Sequence, residues 1–134
     1  MSAQTTLFGA VIDEVNDSLN LFGKVEIGQL KPQGGISAEI EAGYADATYM
    51  DKGTLQVMPV LLLSKHKVQK QAADALFEIC NYLSRKTEYS SGIDWEITTI
   101  RTATTPNFVD KEQSGGCYIY SAIVNIEFYL RGVN

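Results

Sequence analysis

The chain has 134 residues, 45% of them hydrophobic and 20% charged, a composition that fits one globular domain and argues against long disorder. Its net charge of −5 argues against general affinity for nucleic acid or for an anionic membrane surface. No apolar run is long enough to span a bilayer and no signal peptide is visible, so we expect a reducing cytoplasm and buried, reduced Cys80 and Cys117.

The first predicted element is an amphipathic helix from about Ala3 to Asn20. Its apolar residues recur at three- and four-residue steps, the period of a helix with one buried face. They are Leu7, Val11, Ile12, Val15 and Leu19. Gly23 follows this helix, and a short strand is predicted from Lys24 to Leu30.

Two further short strands and two turns are predicted before residue 54. Ile36 to Ile40 alternates apolar and polar residues, and Tyr44 to Met50 is a second strand. The segment 31–35 predicts a turn, since proline lacks a donor and glycine accepts positive φ. Asp51-Lys52-Gly53 predicts a tight hairpin with its glycine in the left-handed region.

The strongest candidate for a central strand runs from Thr54 to Ser64. Apolar residues on both faces predict burial on both sides, while Pro59 predicts a bulge or an unpaired edge. A second amphipathic helix is predicted from about Lys65 to Arg85. Its apolar stripe consists of Val68, Ala72, Leu76, Ile79, Cys80 and Leu83.

The last third of the chain predicts two strands separated by a long loop. Trp95 to Thr99 alternates in strand fashion, and Cys117 to Arg131 has one wholly apolar or aromatic face. At ~3.4 Å per residue this last strand could reach about 50 Å, which is long for a small domain. The segment from Thr102 to Gly116 is predicted as a loop, and connections of that length are usually functional or disordered.

These elements predict an α+β fold, with two amphipathic helices packed on one face of a mainly antiparallel sheet. The second face of the last strand mixes Ile119, Ile123 and Tyr129 with polar residues. We expect that face to meet solvent or another subunit.

No arrangement of residues in the sequence predicts catalysis or metal binding. His66 is the only histidine, so a histidine-based metal site or a Ser-His-Asp triad lacks its partners. The cysteines form no CxxC motif, the double glycines match no nucleotide-binding pattern, and the adjacent carboxylates Asp13 and Glu14 point to different sides of a helix. We therefore expect a protein that is not an enzyme and uses no cofactor.

The elements follow one another in an informative order. After the first helix come strands carrying Tyr44-Ala45-Asp46 and the Asp51-Lys52-Gly53 hairpin, and the strand from Leu55 to Leu63 runs directly into Ser64-Lys65-His66-Lys67 and the second helix. A strand with Trp95, a long polar loop and the segment Tyr118-Ile119-Tyr120-Ser121-Ala122 close the chain. Over nearly its whole length the chain resembles the tail-terminator family of tailed bacteriophages, often labelled minor capsid proteins in phages and prophages of Gram-positive bacteria.

The resemblance implies a structural protein of the virion tail or neck, assembled in the bacterial cytoplasm. Such a protein forms a ring, usually a hexamer, on the completed tail tube, stops its growth and offers a surface to the head connector or stopper protein. The implied partners are further copies of itself, the tail-tube protein and the connector, with no sequence-specific nucleic acid and no membrane. The family has no catalytic residues to transfer.

We expect the subunit or tube interface to combine a basic cluster, the long loop and the mixed face of the last strand. Its candidate residues are Lys65, His66, Lys67, Pro106, Asp110, Lys111, Glu112, Ile119, Ile123 and Tyr129. Lys70 extends the basic cluster. Two other hypotheses stay open: another head–tail joining or tail-tube protein, and a small-molecule-binding regulatory domain, which would need a pocket with convergent polar groups.

Overall fold

The computed structural model describes residues 2–48 and 53–131, which form two helices and six strands. In chain order the elements are α1 (Ala3–Ser18), β1 (Val25–Ile27), β2 (Gly35–Ile40), β3 (Tyr44–Thr48), β4 (Thr54–His66), α2 (Gln69–Arg85), β5 (Trp95–Lys111) and β6 (Tyr118–Leu130). The predicted α+β class is confirmed. Tyr49, Met50 and the Asp51-Lys52 part of the predicted hairpin lie outside the described residues.

The strands form one mixed sheet in the order β1-β2-β4-β6-β5, and β3 pairs with β4 beyond the end of β2. β1 and β2 run parallel, and the other pairings are antiparallel. β4 is central, as predicted, because β6 lies along its whole length while β2 and β3 share its other side. This arrangement makes β1 and β5 the two edges of the β1-β2-β4-β6-β5 path.

Pro59 lies at the point on β4 where β2 ends and β3 has not yet begun. Neither strand pairs with it, and only the Glu41 N–H reaches its carbonyl, at 2.8 Å. The predicted unpaired edge is therefore confirmed, since a residue without an N–H sits where no ladder bond is required. The predicted bulge is wrong, because Pro59 keeps its register with Asn125 of β6.

One hydrophobic core joins both helices to one face of the sheet. From the helices it contains Leu7, Phe8, Val11, Ile12, Val15, Ala75, Leu76, Ile79, Cys80 and Leu83. From the two central strands it contains Met58, Val60, Leu62, Ala122, Val124, Ile126 and Phe128. The apolar faces of α1 and α2 thus pack against the apolar face of the strands in one layer. This confirms the prediction that both helices lie on the same face of the sheet.

α1 begins at Ala3 because the Ser2 hydroxyl accepts the Thr5 N–H at 3.1 Å. Cys80 and Cys117 are free and buried, as the sequence predicts. No helix within residues 2–48 and 53–131 is long and apolar enough to cross a membrane.

α2 begins four residues later than the sequence predicts. Lys65 and His66 belong to β4, and Val68 is the half-exposed N-cap residue rather than part of the buried stripe. Side chains from β4 hold the first turn: His66 Nδ1 accepts the Val68 N–H at 2.9 Å, and the Ser64 hydroxyl donates to the Ala72 carbonyl at 2.6 Å. Pairing with β6 overrides the helical pattern at 65–68, since Lys65 and His66 lie opposite Ile119 and Tyr118.

The predicted loop from Thr102 to Gly116 is wrong over most of its length. β5 is 17 residues long and pairs with β6 as far as Lys111, so only residues 112–117 form a turn. The many threonines of this segment favour extended backbone. Pro106 is tolerated because β5 is an edge strand and its register shifts between Thr104 and Asn107. The positive φ values of Gly115 and Gly116, 88° and 69°, close the turn.

Candidate subunit interface

The outer part of the β5–β6 hairpin forms what we call the arm: residues 104–111 of β5, the turn 112–117 and residues 118–123 of β6. Cross-strand pairs run from Thr104 opposite Ile123 to Lys111 opposite Tyr118. In the β5 part of the arm no side chain is buried. The β5 part of the arm therefore lies outside the helix layer, whereas Ala122 of its β6 part belongs to the core.

β6 residues 118–123 of the arm pair with β4, and an ion pair adds a second link to β4 at the tip of the arm. Lys65 Nζ lies 2.5 Å from Glu112 Oε2, and the two side chains are 7% and 31% exposed. The Glu112 N–H donates to the Cys117 carbonyl at 2.8 Å, which closes the turn and aims the carboxylate at Lys65. Burial of a lysine ammonium is tolerated only with such a partner.

This ion pair corrects the expectation of a basic cluster at residues 65–70. Lys65 is buried and neutralised by Glu112, and Lys70 pairs with Asp74 at 2.5 Å one turn along α2. The Lys70–Asp74 contact raises the pKa of Lys70, chiefly through its hydrogen bond to the carboxylate. Of the predicted cluster, Lys67 alone is exposed without an ion-pair partner among the described side chains.

An aromatic group covers the helix-side face of the arm. Phe108 is 51% exposed, and its ring centroid lies 5.8 Å from that of Tyr120 and 6.5 Å from that of Tyr118. Lys111 Nζ lies 5.1 Å from the Tyr118 ring centroid, and Gln69 Nε2 donates to the Tyr120 hydroxyl at 2.9 Å. Val109 follows Phe108 at one of the register shifts of β5 and is also 51% exposed. The arm thus displays two adjacent apolar side chains.

The sheet face opposite the helices, which we call the open face, carries the alternate residues of β4 and β6. The apolar ones on β4 are Leu55, Val57, Leu61 and Leu63, and those on β6 are Ile119, Ile123 and Tyr129. Most are intermediate in exposure, and none of the described helices covers them. The predicted mixed face of the last strand is therefore an uncovered sheet surface.

The structure brings most of the predicted interface residues to one end of the sheet. Lys65, Asp110 and Ile119 lie in register across three strands, as do His66, Lys111 and Tyr118. Glu112 and Lys67 directly follow these rows. Pro106 and Ile123 lie at the base of the arm, whereas Tyr129 lies opposite Leu55 at the far end of β4. Tyr129 is thus separate from the group that sequence spacing had joined.

Phe108 and Val109 are the interface candidates that sequence reasoning missed. The sequence predicts them as part of a polar loop, although they are an adjacent aromatic and β-branched pair after several threonines. Such residues favour a strand. His66 is also more constrained than predicted, because its ring packs edge-on against Phe22 at 4.7 Å and it accepts the Val68 N–H.

A second polar cluster lies between the two helices and is centred on Glu14. Glu14 Oε2 accepts from Lys86 Nζ at 2.7 Å and from the Tyr82 hydroxyl at 3.1 Å. The hydrogen bond to Glu14 is the main reason that the pKa of Lys86 is raised. Tyr82 and Lys86 line a cleft of about 720 Å³ at the C-terminal ends of α1 and α2. Since both groups are already bound to Glu14, the cluster is a clamp between helices.

Among the remaining reactive groups, burial raises the pKa of the Cys80 thiol, which keeps it protonated beside Thr102. No group of three or more metal-ligating side chains occurs in the part of the chain that the structure describes. No family model matches the sequence, and no curated protein matches it either.

Proposed function

We propose that this protein is a structural part of a phage tail: a terminator that forms a ring on the completed tail tube and joins it to the head connector. The resemblance in the order of its elements motivates the proposal, and one structural observation carries it. That observation is the β5 part of the arm, which buries no side chain and displays Phe108 and Val109, each about half exposed at 51%. Contiguous apolar surface of this kind marks contact with another protein.

The open face supports the same role. Leu61 and Leu63 of β4 lie beside Ile123 and Ser121 of β6 on a surface that the described helices leave uncovered. A ring subunit needs surfaces for two neighbouring copies and for the tube, and the arm and the open face supply two distinct ones. We assign no catalytic role to the protein and no cofactor.

The experiment that tests the proposal compares the native chain with Phe108→Ser/Val109→Ser. Each protein is produced with the tail-tube protein encoded in the same genome, and tube length and end structures are recorded by negative-stain electron microscopy. We expect the native chain to appear as rings on tube ends and to limit tube length, and the arm variant to do neither. Phe77→Ser is the matched control, because Phe77 is 44% exposed on α2, away from the arm.

Two results would contradict the proposal. Native chain that neither binds tube ends nor changes tube length would remove the terminator role. Native chain that polymerises alone into long tubes would instead favour a tail-tube protein, which shares the need for exposed subunit contacts. Circular dichroism of the arm variant must match that of the native chain, so that lost assembly is not lost folding.

A further inference from the structure

A closed ring needs two different surfaces of the same chain that fit each other. Strand addition at the sheet edges is a poor source of such a contact. At the β1 edge the Asn16 side chain occupies both backbone groups of Val25, with distances of 2.8 and 3.0 Å. At the β5 edge, register shifts at four places along the β5–β6 ladder interrupt the regular run of backbone groups. At these two edges, contact with another copy is therefore expected to come from side-chain surfaces.

One half of the sheet is basic. We define the basic half as the residues in line with Leu62–His66 of β4, together with the adjoining loops. It contains five lysines (Lys24, Lys31, Lys65, Lys67 and Lys111) and three carboxylates (Glu26, Asp110 and Glu112). Lys31 and Lys65 are neutralised by Glu26 and Glu112. Lys24 and Lys67 remain exposed with no ion-pair partner among the described side chains, and Gly23, next to Lys24, lines the same cleft as Lys67.

The other half is acidic. We define the acidic half as the residues in line with Thr54–Leu61 of β4. Among described side chains it contains five carboxylates (Glu39, Glu41, Asp94, Glu96 and Glu127) and two arginines (Arg101 and Arg131). Glu127 is partly balanced by Arg101 at 3.4 Å. Glu41, Asp94 and Glu96 are exposed and form none of the ion pairs found in the described residues.

Each half also carries exposed apolar side chains. Val68, Phe108 and Val109 belong to the basic half, and Ile40 and Ile93, the latter 86% exposed, to the acidic half. Protein interfaces combine apolar contact with charges of opposite sign on the two partners, which also fixes their orientation. A second copy of this chain offers to each half the charge that it lacks.

We propose that copies of this chain associate head to tail, the basic half of one sheet facing the acidic half of the next. The inference deepens the proposed ring and rests on it. Such a contact is heterologous, so it does not stop at a dimer and gives a ring where the rotation between successive copies closes. Because the charges are exposed, the association weakens as salt is added.

The test is a charge exchange between the two halves. Lys24→Glu/Lys67→Glu makes the basic half acidic, and Glu41→Lys/Glu96→Lys makes the acidic half basic. Each variant alone then presents like charges at every contact, whereas an equimolar mixture restores opposite charges if the copies alternate. Light scattering after size-exclusion chromatography gives the mass, and native mass spectrometry gives the ratio of the two variants in each oligomer. Both are done at low ionic strength with the native chain alongside.

We expect each variant to associate at least tenfold more weakly than the native chain and the mixture to recover oligomers with equal numbers of both variants. Lys70→Glu/Arg85→Glu is the control for net charge, since it changes the total by the same amount on α2, outside both halves. It should assemble as the native chain does. Circular dichroism checks folding, and Lys67→Gln with Glu96→Gln serves as the milder pair if a reversal unfolds the chain.

Three outcomes would overturn the inference. The single variants could assemble normally, which would leave a ring standing but place its contacts elsewhere. The mixture could fail to recover assembly although both variants are folded. The native chain could stay monomeric at every concentration in low salt, which removes head-to-tail contact in solution. Tube-end binding, measured separately, decides whether the terminator role survives any of these results.

Discussion

The two parts of the β5–β6 hairpin share one hydrogen-bonded ladder and differ in what covers it. From Trp95 to Ile100, β5 buries Trp95, Ile97 and Ile100 in the core that α2 closes. From Thr104 to Lys111 the same strand buries nothing. The first part is stabilised by the core, and its apolar side chains are buried there. The β5 part of the arm is held by pairing with β6 and by one ion pair at the tip, and none of its side chains is buried.

The largest expected difference between the two regions is in the cost of removing a large side chain. Leu76 of α2 is fully buried, so Leu76→Ala should lower the free energy of unfolding by about 2–5 kcal/mol through lost burial and a cavity. Phe108→Ala in the arm should cost about 1 kcal/mol or less, since the ring is half exposed and contacts two tyrosines. Urea unfolding followed by circular dichroism measures both. Equal costs would show that the arm is part of the core.

The next largest effect on stability is expected at the Lys65–Glu112 ion pair, whose lysine is buried. Glu112→Gln leaves the Lys65 ammonium buried beside a neutral amide, so we expect a loss of about 1–3 kcal/mol in unfolding free energy. Lys65→Met in the same background removes the buried charge and should restore much of that loss, because apolar replacement of a buried pair is often neutral. Chemical unfolding of the single and double variants measures both effects.

The structural alternative predicts a different pattern. If Glu112 acts only by closing the turn through its N–H, Glu112→Gln would cost almost nothing, and Lys65→Met would add no recovery. Glu112→Asp serves as the matched variant, since it keeps the charge and shortens the reach to Lys65. A stability of that variant between those of the native chain and Glu112→Gln would show that the stabilisation depends on the distance between the carboxylate and the Lys65 ammonium.

The difference between the regions also explains what the sequence could and could not predict. Both helices, the central strand and the apolar face of β6 followed from periodicity, because burial on one face imposes a period of 3.6 or 2 on the residues. The arm lacks that burial, so β5 beyond Ile100 shows threonines, Pro106 and polar residues and resembles a loop. Its strand character comes from pairing with β6, a partner distant in sequence. The excess length of β6 was the one sign that a partner strand was missing.

The start of α2 was misplaced for a related reason. Lys65 and His66 fit the helical pattern that continues to Arg85, but their backbone pairs with Ile119 and Tyr118. The ion pair of Lys65 with Glu112 joins residues far apart in sequence, so the apparent basic cluster could not be resolved from local spacing. Most residues that the sequence predicts for an interface lie together at one end of the sheet, and the interface itself stays a prediction. Phe108 and Val109, the exposed apolar residues at that end, are absent from the predicted set.

The smallest expected effect on stability concerns the helix layer. There the Glu14–Lys86 ion pair links α1 to the end of α2, as the Lys65–Glu112 ion pair links β4 to the arm. The raised pKa of Lys86 means that its ammonium is stabilised in the folded chain, mainly by the hydrogen bond to Glu14. This contribution is complete below the ordinary lysine pKa of about 10.4 and is lost as pH rises through the higher folded value. Glu14→Gln should therefore cost about 1 kcal/mol at pH 8, and native chain and variant should converge in stability above the folded pKa.

Urea unfolding of both proteins from pH 8 to the alkaline limit of stability measures that convergence. Asp74→Asn is the matched control: it removes the partner of Lys70, whose pKa is also raised, but that lysine is 83% exposed and its pair is screened by solvent. We expect the control to show a smaller difference from the native chain at pH 8 than Glu14→Gln does. A difference in unfolding free energy between native chain and Glu14→Gln that is the same at every pH would mean that Glu14 does not act through the charge on Lys86. It would then act through Tyr82, whose hydroxyl also donates a hydrogen bond to it. The clamp would then be a neutral hydrogen bond, and Lys65–Glu112 would be the more important of the two charge pairs for stability.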